Sequence, residues 1–517
     1  MTPSTSSTSA LHGVITRLKE AIWHRRPILG DIMQKHGDKL LSDYAVDFMD
    51  VNPAPGLDER KPEIITMVEE LVAGRLGPDV AAGVGKQLKK LALVSTADHH
   101  ASIDHPFWVN ANIISGIEPY LHPDPDIRYL IVFSFASVSV NNASGFSRGV
   151  LFSSDAPDKH VIRLPILPDK LKMAVVYGTR TFTREELSRA EHELEKKEHE
   201  GELTPGHAKA IRNFLEEHFA AQSILGAAQL CSQITRINFN FWRKIFHGPD
   251  NAPASGNPVP DLIYLDIETL VTQMLLRRHL SDPGTLLHRV LFEPRFIELA
   301  HKHFNNIPGS FSIEEGWGTY MFWGIGNKGK RVGGKLENGC LVFGHEFSVP
   351  WTPESIEIAL KEKKIFPGML LCYLMVSLYY GMKCLGGFCQ VNDLTVLKHA
   401  WMKLLEEAGE PAEAAAVVPV QTKELGGDGM VLSYLKTAAG DFTPATGLDM
   451  ALDAGDTSFG RYVDLSKRVT LMEMMSAMLP EMYTVLYPES ERDPELLKVK
   501  PEDILRDVGV TAKLASA

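Results

Sequence analysis

The residues best suited to chemistry are concentrated in the segment 96–112, TADHHASIDHPFWVNAN. Eight consecutive residues of this segment hold two carboxylates and three imidazoles, which belong to Asp98, His99, His100, Asp104 and His105. Imidazole and carboxylate groups bind zinc, iron or manganese when two or three of them converge on one ion. We therefore predict a divalent metal site whose ligands are Asp98, His99 and His105.

His100 and Asp104 complete the predicted site as catalytic groups. Asp104 would orient a histidine or act as a general base. The same residues allow two other interpretations. In a metal-free site, one histidine oriented by Asp98 or Asp104 would transfer protons. In a structural one, the residues would form polar turns and helix caps, which fits the difficulty of pointing His99 and His100 the same way.

A second motif, Gly145–Gly149, matches the pattern G-x-S-x-G of a hydrolase nucleophile. That nucleophile needs a strand, a sharp turn and then a helix. Here the residues that follow, 150–153, favour another strand, so the motif predicts a hairpin connection. Its Arg148 is kept as a catalytic candidate that would hold an anionic group of the substrate.

A third motif, Gly324–Gly329, fits G-x-G-x-x-G but is followed by several lysines and glycines, not by a helix. A dinucleotide site needs that helix, so we expect a basic loop instead. Lys328 and Lys330 are predicted to contact the phosphate or carboxylate of a substrate. The alternative is an exposed flexible loop. His345, on the strand beyond, is a candidate distal ligand for the first cluster.

The aromatic segment 237–246, INFNFWRKIF, supplies the remaining candidates. Asn238 and Arg243 are predicted to contact the substrate if this segment lines a pocket. The alternative is an ordinary core element.

The elements that must position these groups suggest an α+β protein with a mixed or antiparallel sheet flanked by many helices. Residues 1–95 have helical spacing of apolar residues. Strands are expected at 129–140, 149–153, 160–167 and 171–177. We predict a helical region over 1–95, an α/β core with the histidine–aspartate cluster over 96–248, a linker or long loop at 249–260, and a helix-rich region over 261–517. A β-hairpin insertion is expected at about 317–351.

Composition limits the class of protein. The chain has 517 residues and a net charge of −12, which argues against a broad nucleic-acid surface. Its five cysteines form no C-x-x-C pair, which favours free thiols in a reducing compartment. No signal peptide is recognised at the start, so we expect a cytoplasmic protein. The apolar run 366–382 is interpreted as a buried helix and not as a membrane span.

Together these patterns predict a metal-dependent enzyme that acts on a small polar or anionic molecule. The metal would be zinc, iron or manganese, and it would activate a water or polarise a carbonyl. Hydrolysis is the default reaction class, and a non-heme iron oxygenase uses the same ligand types. Two alternatives remain: a metal-free transferase or ligase with a phosphate-containing substrate, and a non-catalytic binding or scaffold protein. Self-association into a homo-oligomer stays open.

Overall fold

The computed structural model describes residues 5–142, 145–247, 257–453 and 458–515. The strands in these ranges have three to six residues each. They are β1 (Leu93–Ala97), β2 (Tyr129–Ser134), β3 (Gly149–Ser153), β4 (Val161–Pro165), β5 (Asp261–Asp266), β6 (Phe322–Ile325), β7 (Arg331–Gly333), β8 (Lys335–Glu337), β9 (Cys340–Phe343), β10 (Phe347–Pro350), β11 (Ile365–Pro367), β12 (Lys383–Leu385), β13 (Tyr434–Lys436) and β14 (Phe442–Pro444).

Helices make up most of the remaining structure. In the first part of the chain they are α1 (Thr5–Arg25), α2 (Pro27–His36), α3 (Leu41–Val46), α4 (Pro55–Asp58), α5 (Lys61–Leu76), α6 (Pro78–Lys90), α7 (Pro106–Ser115), α8 (Ile117–Leu121), α9 (Arg184–His199), α10 (Pro205–His218), α11 (Gln222–Leu225) and α12 (Leu230–Phe246). In the second part they are α13 (Ile267–Met274), α14 (Leu286–Phe292), α15 (Pro294–Phe304), α16 (Pro353–Lys361), α17 (Met369–Tyr373), α18 (Gln390–Ala408), α19 (Pro411–Val417), α20 (Gly447–Leu452), α21 (Phe459–Ser466), α22 (Leu471–Met475), α23 (Leu479–Leu486), α24 (Pro501–Asp507) and α25 (Val510–Ala515). Two π-helical turns, Leu275–His279 and Leu374–Tyr379, extend α13 and α17.

A four-stranded parallel sheet lies at the centre, in the order β12-β1-β2-β5. The chain passes from β1 to β2 and then to β5 on one side, and it later returns to place β12 on the other side of β1. The direction of strand addition therefore reverses between β1 and β12. In open parallel sheets, ligands bind beyond the carboxyl ends of the strands at such a reversal.

The sheet is buried on both faces, as parallel sheets usually are. All six residues of β2 are buried. Leu130 and Val132 belong to one hydrophobic core together with α7 and α12. Ile131 and Phe133 belong to the other core, with α5, α6 and α13. This double burial explains why β2 is a continuous apolar run, although its side chains alternate between the two faces.

The smaller sheets are antiparallel: the β3–β4 hairpin, β11-β6-β7, β10-β9-β8 and the β13–β14 hairpin. The predicted α+β class is therefore confirmed. Two expectations about the strands are wrong in detail. The segment 129–134 joins the parallel sheet and does not pair with β3 or β4. The strand expected at 171–177 is replaced by turns, with one isolated bridge between Ser139 and Val175.

Several local predictions are confirmed. A strand and not a helix follows the G-x-S-x-G motif, although the motif is not the expected hairpin connection because β2 and β3 do not pair, and the G-x-G-x-x-G motif turns between β6 and β7. The hairpin expected within 317–351 joins β8 to β9 through Asn338 and Gly339, both with positive φ. These positive φ values are typical of a two-residue type I′ turn.

The apolar run 366–382 is buried, as expected, but it is not one helix. It comprises the end of β11, α17 and a π-helical turn. None of the helices in the described ranges combines the length and apolar character that a membrane crossing needs. The linker predicted at 249–260 falls mostly on residues 249–256, which lie outside the described residues.

Candidate functional site at the carboxyl edge of the parallel sheet

Asp98 is the first residue after β1, at the reversal point of the sheet. Every residue from Thr96 to Asp104 is buried except Asp98, whose side chain is exposed. Burial by the surrounding protein nevertheless raises its pKa. On a convex surface, an exposed carboxylate would not have a pKa raised by burial. Both properties hold where solvent reaches the side chain while protein atoms surround it, and we call the surroundings of Asp98 and Asp428 the recess.

Asp428 approaches Asp98 from the other side of the reversal point. It lies in the loop that follows the bridge between Leu425 and Gly386, the residue after β12. Burial raises the pKa of Asp428 well above its usual value, and the negative charge of Asp98 raises it further. Within the described ranges neither carboxylate has an ion-pair partner. We call Asp98 and Asp428 the switch-point pair.

Glycines allow this close approach of chain segments. A Cβ atom on Gly387 would lie 1.9 Å from Oδ2 of Asp428, and one on Gly427 would lie 2.7 Å from the carbonyl oxygen of Ala111. Both distances are far below normal van der Waals contact, so any larger residue would displace Asp428 or its loop. A small cavity of about 20 Å³ lies beside Asp428 and is also lined by Trp108 and Tyr264, but not by Asp98.

Polar side chains from β1, α17 and α18 surround the pair. The hydroxyl of Tyr373 donates to Oε1 of Gln390 at 2.8 Å, and the Thr96 hydroxyl donates to the carbonyl oxygen of Leu385 at 2.8 Å. Burial, followed by the charge of Asp98, raises the pKa of Tyr373. These contacts fix the first turn of α18 against the ends of β1 and β12.

Cys389 is a thiol between β12 and α18 that lies within reach of the charge of Asp98. Burial raises its pKa to about 12, although Arg26, whose Nη2 lies 3.7 Å from Sγ, opposes the shift. The thiol is therefore protonated at neutral pH, and a cysteine nucleophile is not supported here.

His99 and His105 lie together against the indole of Trp108. Their ring centroids are 5.4 Å and 5.9 Å from that of Trp108. Burial lowers the pKa of His99 to about 4 and that of His105 to about 3, so both are neutral at pH 7. Nδ1 of His99 is buried and has no hydrogen-bond partner in the described part of the chain.

His100 points the other way, into the core. Its Nε2 donates to the carbonyl oxygen of Cys231 at 3.0 Å, since a carbonyl only accepts, and its Nδ1 accepts from the hydroxyl of Ser134 at 2.7 Å. Burial lowers its pKa to about 4. The side chains of His99 and His100 thus contact different parts of the molecule, because adjacent residues cannot easily point the same way.

The ligand atoms of His100, Cys231 and Asp266 all lie within 4.8 Å of one another, and no other group of three metal-ligand side chains in the described ranges does so. The predicted set of Asp98, His99 and His105 does not converge in this way. The negative charge of this buried cluster is already compensated, because Nη2 of Arg75 lies 2.6 Å from Oδ1 of Asp266. We call His100, Cys231, Asp266 and Arg75 the sheet-end network.

Electrostatics favour a structural role for this network. Burial alone would raise the pKa of Asp266, but Arg75, His100 and the hydroxyl of Thr269 together outweigh burial and lower that pKa to about 2. A divalent cation here would have to enter beside a buried guanidinium, which it would repel. Burial also raises the pKa of Cys231 well above its usual value, so the ligand form of the thiol is disfavoured.

Asp104 and Asn238 support the loop that carries the histidines. Oδ2 of Asp104 is buried and accepts from the backbone N–H of Leu151 at 2.8 Å. The buried Asn238 accepts from the N–H of Ile103 at 3.0 Å and donates to the carbonyl oxygen of Ala101 at 2.9 Å. Both predicted site residues therefore hold backbone groups of neighbouring loops and strands.

The other predicted residues lie outside the recess. Arg148 donates to the carbonyl oxygen of Leu167 at 2.8 Å and pairs with Asp169. Arg243 pairs with Asp261 at the amino end of β5, the opposite edge of the sheet. Lys328 and Lys330 are exposed on the turn between β6 and β7, and His345 is exposed between β9 and β10.

The sequence analysis missed Asp428, because the region 410–460 has no clear periodicity. A usable signal was present: the pairs Gly386–Gly387 and Gly426–Gly427, the second directly followed by an aspartate. Paired glycines next to a carboxylate indicate close approach of backbones around a polar group. Comparisons with known proteins add nothing to this signal, since no protein family model, no curated protein and no solved structure matches the chain.

Proposed function

We propose that this protein is an enzyme that acts on a small polar molecule at the carboxyl edge of its parallel sheet. The switch-point pair would be its acid–base machinery. The observation that carries the proposal is Asp98, the one exposed side chain in the buried stretch 96–104, with a raised pKa and no ion-pair partner in the described part of the chain. Carboxylates with raised pKa values in a recess are typical of catalytic sites.

Two neighbouring carboxyl groups can share one proton near neutral pH. In a hydrolysis, the ionised carboxylate would accept a proton from water, and the water oxygen would bond to the electrophilic atom of the substrate. The protonated carboxyl would give its proton to the leaving group as the bond to that group breaks. Hydrolysis stays the default class because water is its only co-reactant.

A metal-dependent enzyme is the second candidate. Two carboxylates with no ion-pair partner among the described residues are suitable oxygen ligands for a divalent ion. The buried Nδ1 of the neutral His99, which has no hydrogen-bond partner in the described ranges, does not converge with them and would have to move to become a nitrogen ligand. Such an ion would polarise a substrate oxygen or lower the pKa of a water. The protein would contribute the anchoring of the loop by Asn238 and Asp104.

The test is the Asp98→Asn variant, with Asp126→Asn as its matched control. Asp126 is a carboxylate on the protein surface that pairs with Lys86 at 2.7 Å, remote from the recess. Each protein is incubated with a pool of small esters, amides and phosphate esters, and consumption is followed by mass spectrometry. We expect a substrate that the unmodified protein and Asp126→Asn consume at least about a hundredfold faster than Asp98→Asn, the usual scale of general acid–base catalysis.

Equal consumption by Asp98→Asn would contradict the acid–base proposal. The metal content of the untagged protein separates the two candidates. Near-stoichiometric zinc, iron or manganese that disappears in an Asp98→Asn/Asp428→Asn double variant favours the metal-dependent enzyme. Activity without metal, lost in the same variant, favours the metal-free acid–base site.

A further inference from the structure

A second cavity, of about 440 Å³, is lined by residues between positions 301 and 337, which are distant in sequence from the switch-point pair. It is enclosed by the segment 311–320, the strands β6, β7 and β8, and one residue of α15. Its lining shares no residue with the cavity beside Asp428. The volume lies within the range of small-molecule sites.

Aromatic side chains line much of this cavity. Trp317 is 39% exposed and its Nε1 donates to Oε2 of Glu315 at 2.6 Å, which holds the indole in place. Trp323 is held by Arg331, whose guanidinium carbon lies 4.2 Å from the ring centroid. Flat, fixed aromatic surfaces of this kind suit a planar ligand that stacks on them.

His301 and Tyr320 add a stacked pair to the lining. Their ring centroids are 4.6 Å apart and their planes differ by 11°. Nδ1 of His301 donates to the carbonyl oxygen of Ile297 at 2.8 Å. With the Nδ1 hydrogen directed to this carbonyl, Nε2 is left to face the cavity, and no group in the described ranges bonds to it.

Apart from the hydroxyl of Ser312, which accepts from the backbone N–H of Glu315, the remaining polar side chains of the lining are one ammonium and one carboxylate. Nζ of Lys335 lies beside Gly316, where a Cβ atom would be 3.5 Å from it. Neither Lys335 nor Glu337 has an ion-pair partner in the part of the chain that the structure describes. The lining thus offers a donor, two acceptors and no net charge, which fits an uncharged ligand better than a polyphosphate.

Backbone geometry keeps the cavity open. Gly318 has a φ of +80°, and a Cβ atom there would lie 2.1 Å from the carbonyl oxygen of Ser310. A Cβ atom on Gly333 would lie 2.4 Å from the carbonyl oxygen of Gly318. A larger residue at either position would force the loop 311–318 away from β7 and change the shape of the cavity.

We propose that this cavity binds a nucleobase or nucleoside. This ligand class is planar and uncharged, and it carries both N–H donors and carbonyl acceptors on one ring. The ring would stack on the indoles, its N–H groups would meet Glu337 and Nε2 of His301, and a carbonyl oxygen would meet Lys335. Base stacking on an aromatic side chain is tolerant of base identity, so the polar groups would set the preference.

The test is calorimetric titration of the full-length protein with guanosine, adenosine, cytidine and uridine. We expect at least one nucleoside to bind, and Trp317→Ala to weaken it by about tenfold or more. Ile358→Ala is the matched control, since Ile358 is a 57% exposed apolar residue of α16 outside the cavity. It should leave binding unchanged.

Further variants keep the result unambiguous. If Trp317→Ala unfolds, Lys335→Met and Glu337→Gln alter exposed side chains, and each should weaken binding. Asp98→Asn should bind the nucleoside as the unmodified protein does, because the two sites share no residue. The proposal fails if none of the four nucleosides binds at millimolar concentration, or if the cavity variants bind normally.

Discussion

The switch-point pair and the sheet-end network are two polar groups at the same edge of one sheet, yet they differ in how their charge is balanced. In the network, Arg75 neutralises Asp266, and both nitrogens of His100 have hydrogen-bond partners. In the switch-point pair, two carboxylates lie close together with no ion-pair partner among the described residues, and one of them is exposed.

This difference separates a structural group from a functional one. A fold tolerates buried charge when it is paired and hydrogen-bonded, as in the network. Carboxylates left uncompensated cost stability, and such a cost is typical of sites whose chemistry requires it. The cluster of ligand-type residues with the best convergence, His100, Cys231 and Asp266, is thus the weaker candidate for catalysis.

The largest expected effect comes from breaking the network. Arg75→Met leaves the buried carboxylate of Asp266 without its partner, so the free energy of unfolding should fall by about 3–5 kcal/mol. Urea unfolding at pH 7 measures it. Arg277→Met, which removes an exposed ion pair with Glu70, is the matched control and should cost less than about 1 kcal/mol. An equal loss of unfolding free energy in Arg75→Met and Arg277→Met would show that the network stabilises the fold no more than a surface ion pair does.

The next effect is the pH dependence contributed by His100. Its folded pKa of about 4 lies below its ordinary 6.5, so between these values the unfolded chain binds a proton that the folded chain does not. This contribution to stability is complete above pH 6.5 and is lost as the pH falls towards 4, by about 3 kcal/mol. Unfolding of His100→Gln should therefore depend less on pH between 7 and 4.5. The exposed His345→Gln should keep the dependence of the unmodified protein, and an identical curve for His100→Gln would show that the network does not hold a neutral imidazole.

The smallest effect has the opposite sign. Burial and Asp98 raise the pKa of Asp428, so its contribution to stability is present below about pH 3.8 and is lost as the pH rises through the folded pKa. Asp428→Asn avoids this loss and should stabilise the protein at pH 7 by about 1 kcal/mol. Thermal and urea unfolding should show the gain at pH 7 and little of it at pH 4. Destabilisation on the scale of Arg75→Met would place Asp428 with the structural groups.

Patterns within one segment are enough to indicate helix caps, although they failed for the strand expected at 171–177 and the single helix expected at 366–382. Thr352 caps α16 and Thr183 forms a capping box with Glu186, as the sequence indicates, because such caps depend on neighbouring residues alone. The parallel pairing could not be predicted in this way. β12 has three residues and pairs with β1, which lies almost 300 positions earlier, so no local period records the contact.

The candidate site was likewise predictable only where it depends on a pattern within one segment. The density of ligand-type residues at 98–105 locates one side of the recess. The directions of His99 and His100 depend on β1 ending at Ala97, and the approach of Asp428 depends on the loop after β12. The metal assignment to Asp98, His99 and His105 stays a prediction that metal analysis has to test.

The glycines around the recess have a consequence for the history of this chain. Gly387 and Gly427 have no room for a methyl group, so replacing either glycine by another residue would displace the groups of the site itself. Selection for the site would therefore keep glycine at both positions, while residues in the exposed turns could change. A distant relative that keeps the chemistry should retain an Asp-His-His triplet after its first strand and two later glycine pairs, the second followed by aspartate, even where the rest of its sequence has diverged.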